Sequence, residues 1–179
     1  MTTGNAFTAS ASANGVRRAS ELRGLDLAAC RVAVLGAGGA IGHAVARLLA
    51  PHVGQLVLIG NPAHPEVSLR RLRDRAREVA AAVTGDSAAA DLDDVVAELM
   101  DAGRLRITTE AAAAIPDAEV IITATSTPLP IIESGLPRHG AIICDVAQPP
   151  NVPSTILAER PDLLLFDGGI IAMPHGRGL

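Results

Sequence analysis

Several residue types are missing or scarce in this sequence of 179 residues: it has no lysine, no tryptophan and no tyrosine, and only two phenylalanines. Without lysine, the chain cannot form a Schiff base or the lysine-dependent P-loop of nucleotide triphosphatases. With only two aromatic side chains, it offers no platform on which nucleic-acid bases could stack. The net charge of -4 provides no basic field for nucleic acid or an anionic membrane. We therefore expect no nucleic-acid partner.

Cysteines and long apolar runs are also scarce. Cys30 and Cys144 are too few for a disulfide framework or a four-ligand zinc site, so we expect no metal and a reducing, cytoplasmic location. No apolar run is long enough to predict a membrane span. Hydrophobic residues nevertheless make up 49% of the chain, with a mean hydropathy of +0.33. This composition predicts a folded domain with an aliphatic core.

Short aliphatic runs alternate with helical patterns along most of the chain, and this alternation predicts a Rossmann-like, doubly wound α/β fold. Its sheet would have six strands, mostly parallel. The predicted strands are 31–35, 55–59, 105–108, 119–124, 141–144 and 163–166. The predicted helices between them include 39–49, with His43 at the surface, and 67–83. An inserted segment over 84–103 follows, in which Leu92, Val95, Val96 and Leu99 predict another helix that ends near Gly103.

The first residues predict a helix from Ala6 to Arg23, with Asn5 as its N-cap and Gly24 just past its end. Because residues 1–20 hold Arg17 and Arg18 but no acid, a transit peptide is the alternative interpretation. We favour a helix that packs on the sheet. The chain is then one domain over 1–179, with a helical segment over 1–24 and the Rossmann-like core over 25–179.

A glycine-rich loop follows the first strand and opens the next helix. Glycines recur at every third position, Gly36, Gly39 and Gly42, with Gly38 between them. In a strand–loop–helix unit, such glycines allow a tight turn, a close approach of backbone N–H groups to a pyrophosphate, and close packing of helix on strand. The pattern therefore predicts a dinucleotide site that includes Ala40 and Ile41, and its alternative is a tight turn that binds nothing.

The end of the second strand bears on which dinucleotide binds. NAD-binding domains carry an acid there, about 20 residues after the loop, for the ribose hydroxyls. No acid occurs between Arg31 and Pro65, and Gly60-Asn61 occupies the strand end. Since Arg70, Arg71 and Arg73 follow, the pattern favours NADP over NAD. For most of these arginines, an exposed helix face is the alternative role.

Four segments together resemble one family: Thr2–Asn5, Val32–Gly42, Asp145 with Gln148–Asn151, and Gly168–Ile170. They look like the cofactor domain of long-chain acyl–acyl carrier protein reductases and the related predicted amino acid dehydrogenases. The glycine loop and Ala124–Thr127 are similar, more widely, to shikimate dehydrogenase and glutamyl-tRNA reductase.

The resemblance implies a nicotinamide cofactor, usually NADPH, across the carboxyl ends of the strands, and hydride transfer to a carbonyl or acyl-thioester substrate. By position it implies a pyrophosphate on Gly36–Gly42 and an adenosine ribose near Asn61 and Arg70. It places the nicotinamide half near the remaining cofactor residues, which are Thr125, Ser126, Thr127, Val146, Gly168 and Gly169.

The resemblance provides two candidate catalytic residues, Asn5 and Asp145. Asn5 would lie on the substrate side, and Asp145 would either orient the ribose or substrate or cap the turn that follows it. Family members have chain on both sides of the matched region, and their thioester-forming cysteine corresponds to neither Cys30 nor Cys144. Two hypotheses follow: an NAD(P)H-dependent oxidoreductase of a small-molecule or acyl-carrier substrate, or an NADP-binding module without independent catalysis. In either case we expect an oligomer or a partner chain to complete the cleft.

Overall fold

A computed structural model describes residues 4–86 and 91–169. Its centre is a sheet of six strands. The strands are β1 (Arg31–Leu35), β2 (Gln55–Ile59), β3 (Leu105–Thr108), β4 (Val120–Thr123), β5 (Ile142–Asp145) and β6 (Leu164–Asp167). The helices are α1 (Gly4–Arg23), α2 (Ala40–Leu49), α3 (Pro65–Thr84), α4 (Leu92–Asp101), α5 (Ala111–Ala114) and α6 (Ile156–Glu159). Short 3-10 helices cover Leu27–Ala29, Ala50–His52 and Ile115–Asp117.

The strands lie in the order β3-β2-β1-β4-β5-β6, and every neighbouring pair is parallel. This confirms the predicted Rossmann-like fold, with a sheet that is parallel throughout rather than mostly. The order reverses between β1 and β4, where Leu35 is in register with Thr123. In open α/β sheets, ligands bind at the carboxyl ends of the strands beside such a reversal.

Two apolar layers cover the two faces of the sheet, because alternate residues of each strand point to opposite sides. On one face, Val32 and Val34 of β1 pack with buried residues of α1, α2 and α3. On the other, Ala33 and Leu35 pack with Ile115, Ile132 and other residues of short helices and loops. The central strands are thus buried on both sides, which explains their uninterrupted aliphatic sequences.

Helix α1 packs on the α2 face of the sheet, as its buried stripe of Ala9, Ala13 and Val16 requires. The Arg23 side chain at its end donates to the carbonyl of Asp162, just before β6. Earlier in the helix, Ser12 Oγ donates to the carbonyl of Gly168, just after β6, at 2.9 Å. The N-terminal end of α1 therefore lies towards the carboxyl edge of the sheet.

The structure corrects some predicted details. Asn5 is not an N-cap, because the described helix begins at Gly4 and Asn5 lies exposed within its first turn. His43 is buried rather than at the surface, since α3 packs over this part of α2. The further helix predicted within the segment 84–103 is present as α4, and the Asp91 carboxylate caps it. Thr2, Thr3 and Ile170 of the resembling segments lie outside the described residues.

Candidate functional site

The glycine loop turns sharply between β1 and α2. Gly36 has φ +77°, a conformation that favours glycine, and a Cβ there would lie 2.5 Å from the carbonyl oxygen of Ala124. A Cβ on Gly42 would lie equally close to the carbonyl oxygen of Gly36 and 3.3 Å from the Ala124 methyl group. These two glycines therefore let the loop, the start of α2 and the end of β4 pack against each other.

Gly39 has a different environment. It is the N-cap of α2, its φ is ordinary, and the one atom within 4 Å of a Cβ would be the carbonyl oxygen of Gly36 at 3.3 Å. No side chain caps the helix at this position. In any helix the first-turn N–H groups, here those from Ala40 to Gly42, lack acceptors within the helix itself. The space beside Gly39 and these N–H groups together fit a phosphate.

A cleft of about 560 Å³ opens beside this loop, over the carboxyl ends of β1, β2 and β4. It lies where the strand order reverses, so its position is that of a ligand site in this class of fold. The described lining consists of Leu35, Gly36, Gly38, Gly39, Ile59, Gly60, Asn61, Pro62, Ala63, Ser68, Arg71, Leu72, Ala111, Ala124, Thr125, Ser126, Thr127 and Ile131.

The β2 end of the cleft has a polar corner without a carboxylate. The Asn61 side chain accepts a hydrogen bond from the N–H of Ala63 at 2.9 Å, and Ser68 Oγ bonds both the N–H and the carbonyl of Asn61. Among the described lining residues, Arg71 alone carries a charge. Its aliphatic stem lies against Gly38, where a Cβ would be 3.0 Å from Arg71 Cδ. Arg70 is exposed and is not part of the lining.

The β4 end of the cleft is formed by Thr125, Ser126 and Thr127, as the sequence predicts. Thr125 Oγ1 donates to Asn151 Oδ1 at 2.7 Å and accepts from the N–H of Thr127 at 3.3 Å. Ser126 is exposed. The hydroxyl of Thr125 is thus oriented by the protein itself.

Asp145, one of the two catalytic candidates, accepts three hydrogen bonds within the protein. Its Oδ1 accepts from the hydroxyl of Thr123 at 2.6 Å and from the N–H of Ala147 at 3.0 Å, and its Oδ2 accepts from the N–H of Val152 at 2.9 Å. The side chain is buried. These contacts correspond to the turn-capping alternative and not to a group that faces a ligand.

Val146, Gly168 and Gly169 lie at the same edge of the sheet but outside the described lining of the cleft. A Cβ on Gly168 would be 2.5 Å from Cys144 Sγ and 2.9 Å from both Ser12 Oγ and a Val146 methyl group. Gly168 therefore allows α1 to pack closely on β5 and β6. Asn5 lies beyond this contact, two turns nearer the N-terminus of α1.

Neither thiol has the properties of a nucleophile. Burial raises the pKa of Cys144 to about 12, and burial together with Asp26 raises the pKa of Cys30. A catalytic cysteine instead needs exposure and a lowered pKa. Within residues 4–86 and 91–169, no cluster of histidine, cysteine and acidic side chains could hold a metal ion.

A second, larger cavity of about 720 Å³ lies at the opposite, amino edge of the sheet. Its charged groups pair with each other: Arg31 with Asp117 at 2.7 Å, and Arg138 with Glu119. It is far from the glycine loop and from the edge where such sheets bind ligands. We therefore assign the candidate site to the cleft at the carboxyl edge.

Sequence reasoning missed two of the residues that shape this cleft. Ser68 lies on α3, and nothing in its sequence neighbourhood indicates its bonds to Asn61. Asn151 belongs to a segment that carries the family resemblance, but its contact with Thr125 joins two loops far apart in the chain. Asn151 is buried although Gln148, Pro149 and Pro150 before it are exposed, and no pattern in the sequence indicates this difference.

Within the described residues, no helix is both long and apolar enough to cross a membrane. No protein-family model matches the sequence.

Solved structures with a similar fold include three that cover most of this chain. A dipicolinate synthase subunit from Bacillus halodurans matches 91% of this chain and 46% of its own, with a TM-score of 0.58 and 16% identity. Glutamyl-tRNA reductase from Methanopyrus kandleri matches 90% of this chain over 34% of its own length, with a TM-score of 0.58 and 20% identity. Shikimate 5-dehydrogenase from Listeria monocytogenes, solved with shikimate and NAD, matches 88% of this chain over 52% of its own length, with a TM-score of 0.54 and 14% identity.

The chain thus spans about half the length of these proteins or less. At such low identities the likeness concerns the fold. Two of the three are of the kinds to which the resemblance of the glycine loop and Ala124–Thr127 pointed, and the chain shares their fold.

Proposed function

We propose that the chain is the cofactor-binding domain of an NAD(P)-dependent oxidoreductase. The observation that carries this proposal is the glycine loop at the reversal of strand order, beside a cleft of about 560 Å³. The residues fit the cofactor because the space at Gly39 is open and the first turn of α2 presents backbone N–H groups. In this proposal, Gly36–Gly42 hold the pyrophosphate, with Gly36 and Gly42 shaping the loop and Gly38 and Gly39 approaching the phosphates.

The β2 end of the cleft favours NADP over NAD. A 2′-phosphate would meet a guanidinium group there, since Arg71 lines the cleft and its aliphatic stem lies against Gly38. NAD-binding sites instead use a carboxylate that accepts from the ribose hydroxyls, and the described lining contains none. In this proposal, Arg71 takes the role that the family resemblance implied for Arg70.

The proposed reaction is transfer of a hydride to a carbonyl carbon. The bound nicotinamide supplies the hydride. The protein binds and orients the cofactor and the substrate, and it excludes water. Thr125, Ser126 and Thr127 would flank the second half of the cofactor, and Val146 with Gly168 and Gly169 would border it near β5 and β6. Reduction of an acyl thioester, as the resemblance to acyl–acyl carrier protein reductases implies, would proceed without Cys30 or Cys144, because both thiols are buried.

A second candidate function is NADP binding without independent catalysis. It is favoured by the chemistry of the cleft, since its described lining holds no carboxylate, histidine or thiol that could exchange a proton with a substrate. In this alternative, another copy or a partner chain supplies the second wall of the cleft and the acid–base group. Asn5, at the carboxyl-edge end of α1, is then a residue that the partner would meet.

Calorimetric titration with NADPH and NADH tests the proposal. We expect wild-type chain to bind NADPH at least about tenfold more tightly, which corresponds to about 1.4 kcal/mol. Arg71→Ala should remove this preference, whereas Arg70→Ala, a matched change on the neighbouring exposed residue, should keep it. Equal affinity for both cofactors would contradict the NADP assignment, and binding of neither would contradict the cofactor role.

A further inference from the structure

Asn151 is fully buried although it lies in a loop, and every polar group of its side chain has a partner. Its Oδ1 accepts from the Thr125 hydroxyl at 2.7 Å. Its Nδ2 donates to the carbonyl oxygens of Thr127 at 3.3 Å and Leu129 at 3.4 Å. All three partners belong to one stretch of chain that follows β4.

The backbone of Asn151 holds the other end of the same stretch. Its carbonyl oxygen accepts from the N–H of Ile131 at 2.8 Å and from the N–H of Ile132 at 3.2 Å. One residue therefore bonds residues 125–132 at both ends, and we call these residues the β4 loop. The loop has no helix or strand of its own to fix its conformation. Four of its residues line the cleft: Thr125, Ser126, Thr127 and Ile131.

Asn151 is itself held in place from β5. The carboxylate of Asp145 bonds the N–H groups of Ala147 and Val152 and so closes the turn that carries Asn151. Thr123, at the end of β4, bonds the same carboxylate at 2.6 Å. The ends of β4 and β5 and the loops after them thus form one hydrogen-bonded unit.

An amide is the side chain that these contacts require. Thr125 needs an acceptor, while the carbonyls of Thr127 and Leu129 need donors, and an asparagine supplies both from one end group. An aspartate would keep the acceptor but would turn a carboxylate oxygen towards two carbonyl oxygens inside the protein, where an unpaired charge is costly.

We propose that Asn151 is the positioning residue of the cofactor site: it fixes the β4 loop and thereby the orientation of the nicotinamide half of the cofactor. This inference rests on the proposed function. In a Rossmann domain the two halves of a dinucleotide lie on opposite sides of the reversal of strand order. Asn151 acts on the β4 side, whereas Arg71 lies on the β2 side. Loss of Asn151 should therefore weaken NADPH and NADH equally.

The test compares Asn151→Asp with Gln148→Glu, which makes the same amide-to-carboxylate change on an exposed residue of the same loop. NADPH fluorescence reports the nicotinamide directly, since the protein has no tryptophan or tyrosine to interfere. We expect Asn151→Asp to lower the affinity for both cofactors by the same factor, about fivefold or more, and to lower the anisotropy of the bound nicotinamide. Gln148→Glu should leave both unchanged.

Thr125→Val removes the same hydrogen bond from the other side and serves if Asn151→Asp does not fold. It should also lower affinity and anisotropy, with the NADPH-to-NADH ratio unchanged. Wild-type values in a folded Asn151→Asp chain, or a changed cofactor ratio, would overturn the inference while leaving the proposed function intact. If wild-type chain binds neither cofactor, the proposed function fails, and the inference fails with it because Asn151 then has no cofactor to position.

Discussion

The glycines of the loop after β1 have separate tasks. Gly36 and Gly42 are surrounded by backbone atoms, so they are needed for the chain to fold into this turn. Gly39 faces open space with a single backbone oxygen nearby, so it is needed for the binding of a pyrophosphate in that space. Substitutions at these positions should therefore separate folding from binding.

Replacing Gly36 by alanine should destabilise the fold. The alanine backbone would have to adopt a φ of +77°, and its methyl group would lie 2.5 Å from the Ala124 carbonyl oxygen. We therefore expect a loss of about 3 kcal/mol or more in the free energy of unfolding. Gly24→Ala is the control, because Gly24 has φ +65° and a Cβ built there would meet no other part of the protein within 4 Å. It should cost about 1–2 kcal/mol, the strain alone. Urea unfolding measures both, and equal losses would show that the turn can relax around Gly36.

Replacing Gly39 by valine should spare the fold and weaken the cofactor. The backbone of Gly39 is extended, with φ -81° and ψ 166°, and a branched side chain adopts this conformation readily. The side chain would fill the space that a pyrophosphate needs, so the Kd for NADPH should rise at least about tenfold. Circular dichroism should remain that of wild type, and an unchanged Kd would show that the phosphates lie elsewhere.

Single residues were predictable where the chemistry is local. The spacing of Gly36, Gly39 and Gly42 after an aliphatic strand predicts the loop, and the structure places three of its glycines in the cleft lining. Arg71 and Asn151 depend on which side of a helix or loop meets a distant segment. The sequence could not distinguish Arg70 from Arg71, because adjacent residues on a helix differ by about 100° in direction.

The contact between α2 and α3 holds a charged cluster in which His43 is buried, Glu78 and Arg75 are half-buried and Arg47 is exposed. His43 of α2 has Nε2 3.4 Å from Glu78 Oε2 of α3, and Glu78 also meets Arg75 at 2.9 Å and Arg47 at 3.5 Å. Burial lowers the pKa of His43; Glu78 opposes this shift, while Arg75 and Arg47 add to it. Helical periodicity predicted both helices, but not that a histidine would lie between them.

Stability should therefore depend on pH through His43. The unfolded chain takes up a proton at this residue near pH 6.5, whereas the folded chain does so at lower pH. Between these two values the unfolded state binds more protons, so the free energy of unfolding should fall as the pH falls below about 6.5. Urea unfolding between pH 5.5 and 7.5 measures this, and His43→Gln should flatten the dependence. His52→Gln, on an exposed histidine, should not; an equal effect of both variants would contradict the assignment.

The boundaries of the six strands and of α1 to α4 were predicted to within a few residues, since aliphatic runs end where the sheet ends, whereas the short helices α5 and α6 were not predicted. The stretch between β4 and β5 is different. It has no regular element, and its buried Ile132 belongs to the second apolar layer. Its first part, the β4 loop, is held by hydrogen bonds to Asn151, which no local pattern encodes.

The arrangement of the complete sheet combines predictable and unpredictable parts. Alternation of strands and helices predicts parallel strands, but the strand order follows from contacts between distant segments. Likewise, α1 could be predicted as a helix, while its place over β5 and β6 depends on the close approach that Gly168 allows to Ser12 and Cys144.

This packing predicts the behaviour of the two thiols. Cys30 and Cys144 are buried, so a disulfide reagent should label neither while the chain is folded and both in denaturant. The variants Cys30→Ala and Cys144→Ala allow each remaining thiol to be followed separately. Fast, stoichiometric labelling of Cys144 in the folded chain would show that α1 does not stay on the sheet and would reopen a role for this thiol in thioester chemistry.

A crystal structure of the chain grown with NADP⁺ would locate the cofactor. We expect its pyrophosphate beside Gly39, on the backbone N–H groups of the first turn of α2, its 2′-phosphate within hydrogen-bond distance of the Arg71 guanidinium, and its nicotinamide half beside Thr125–Thr127. A cofactor bound away from the glycine loop, or a cleft without cofactor at saturating concentration, would contradict the assignment of this cleft as a dinucleotide site.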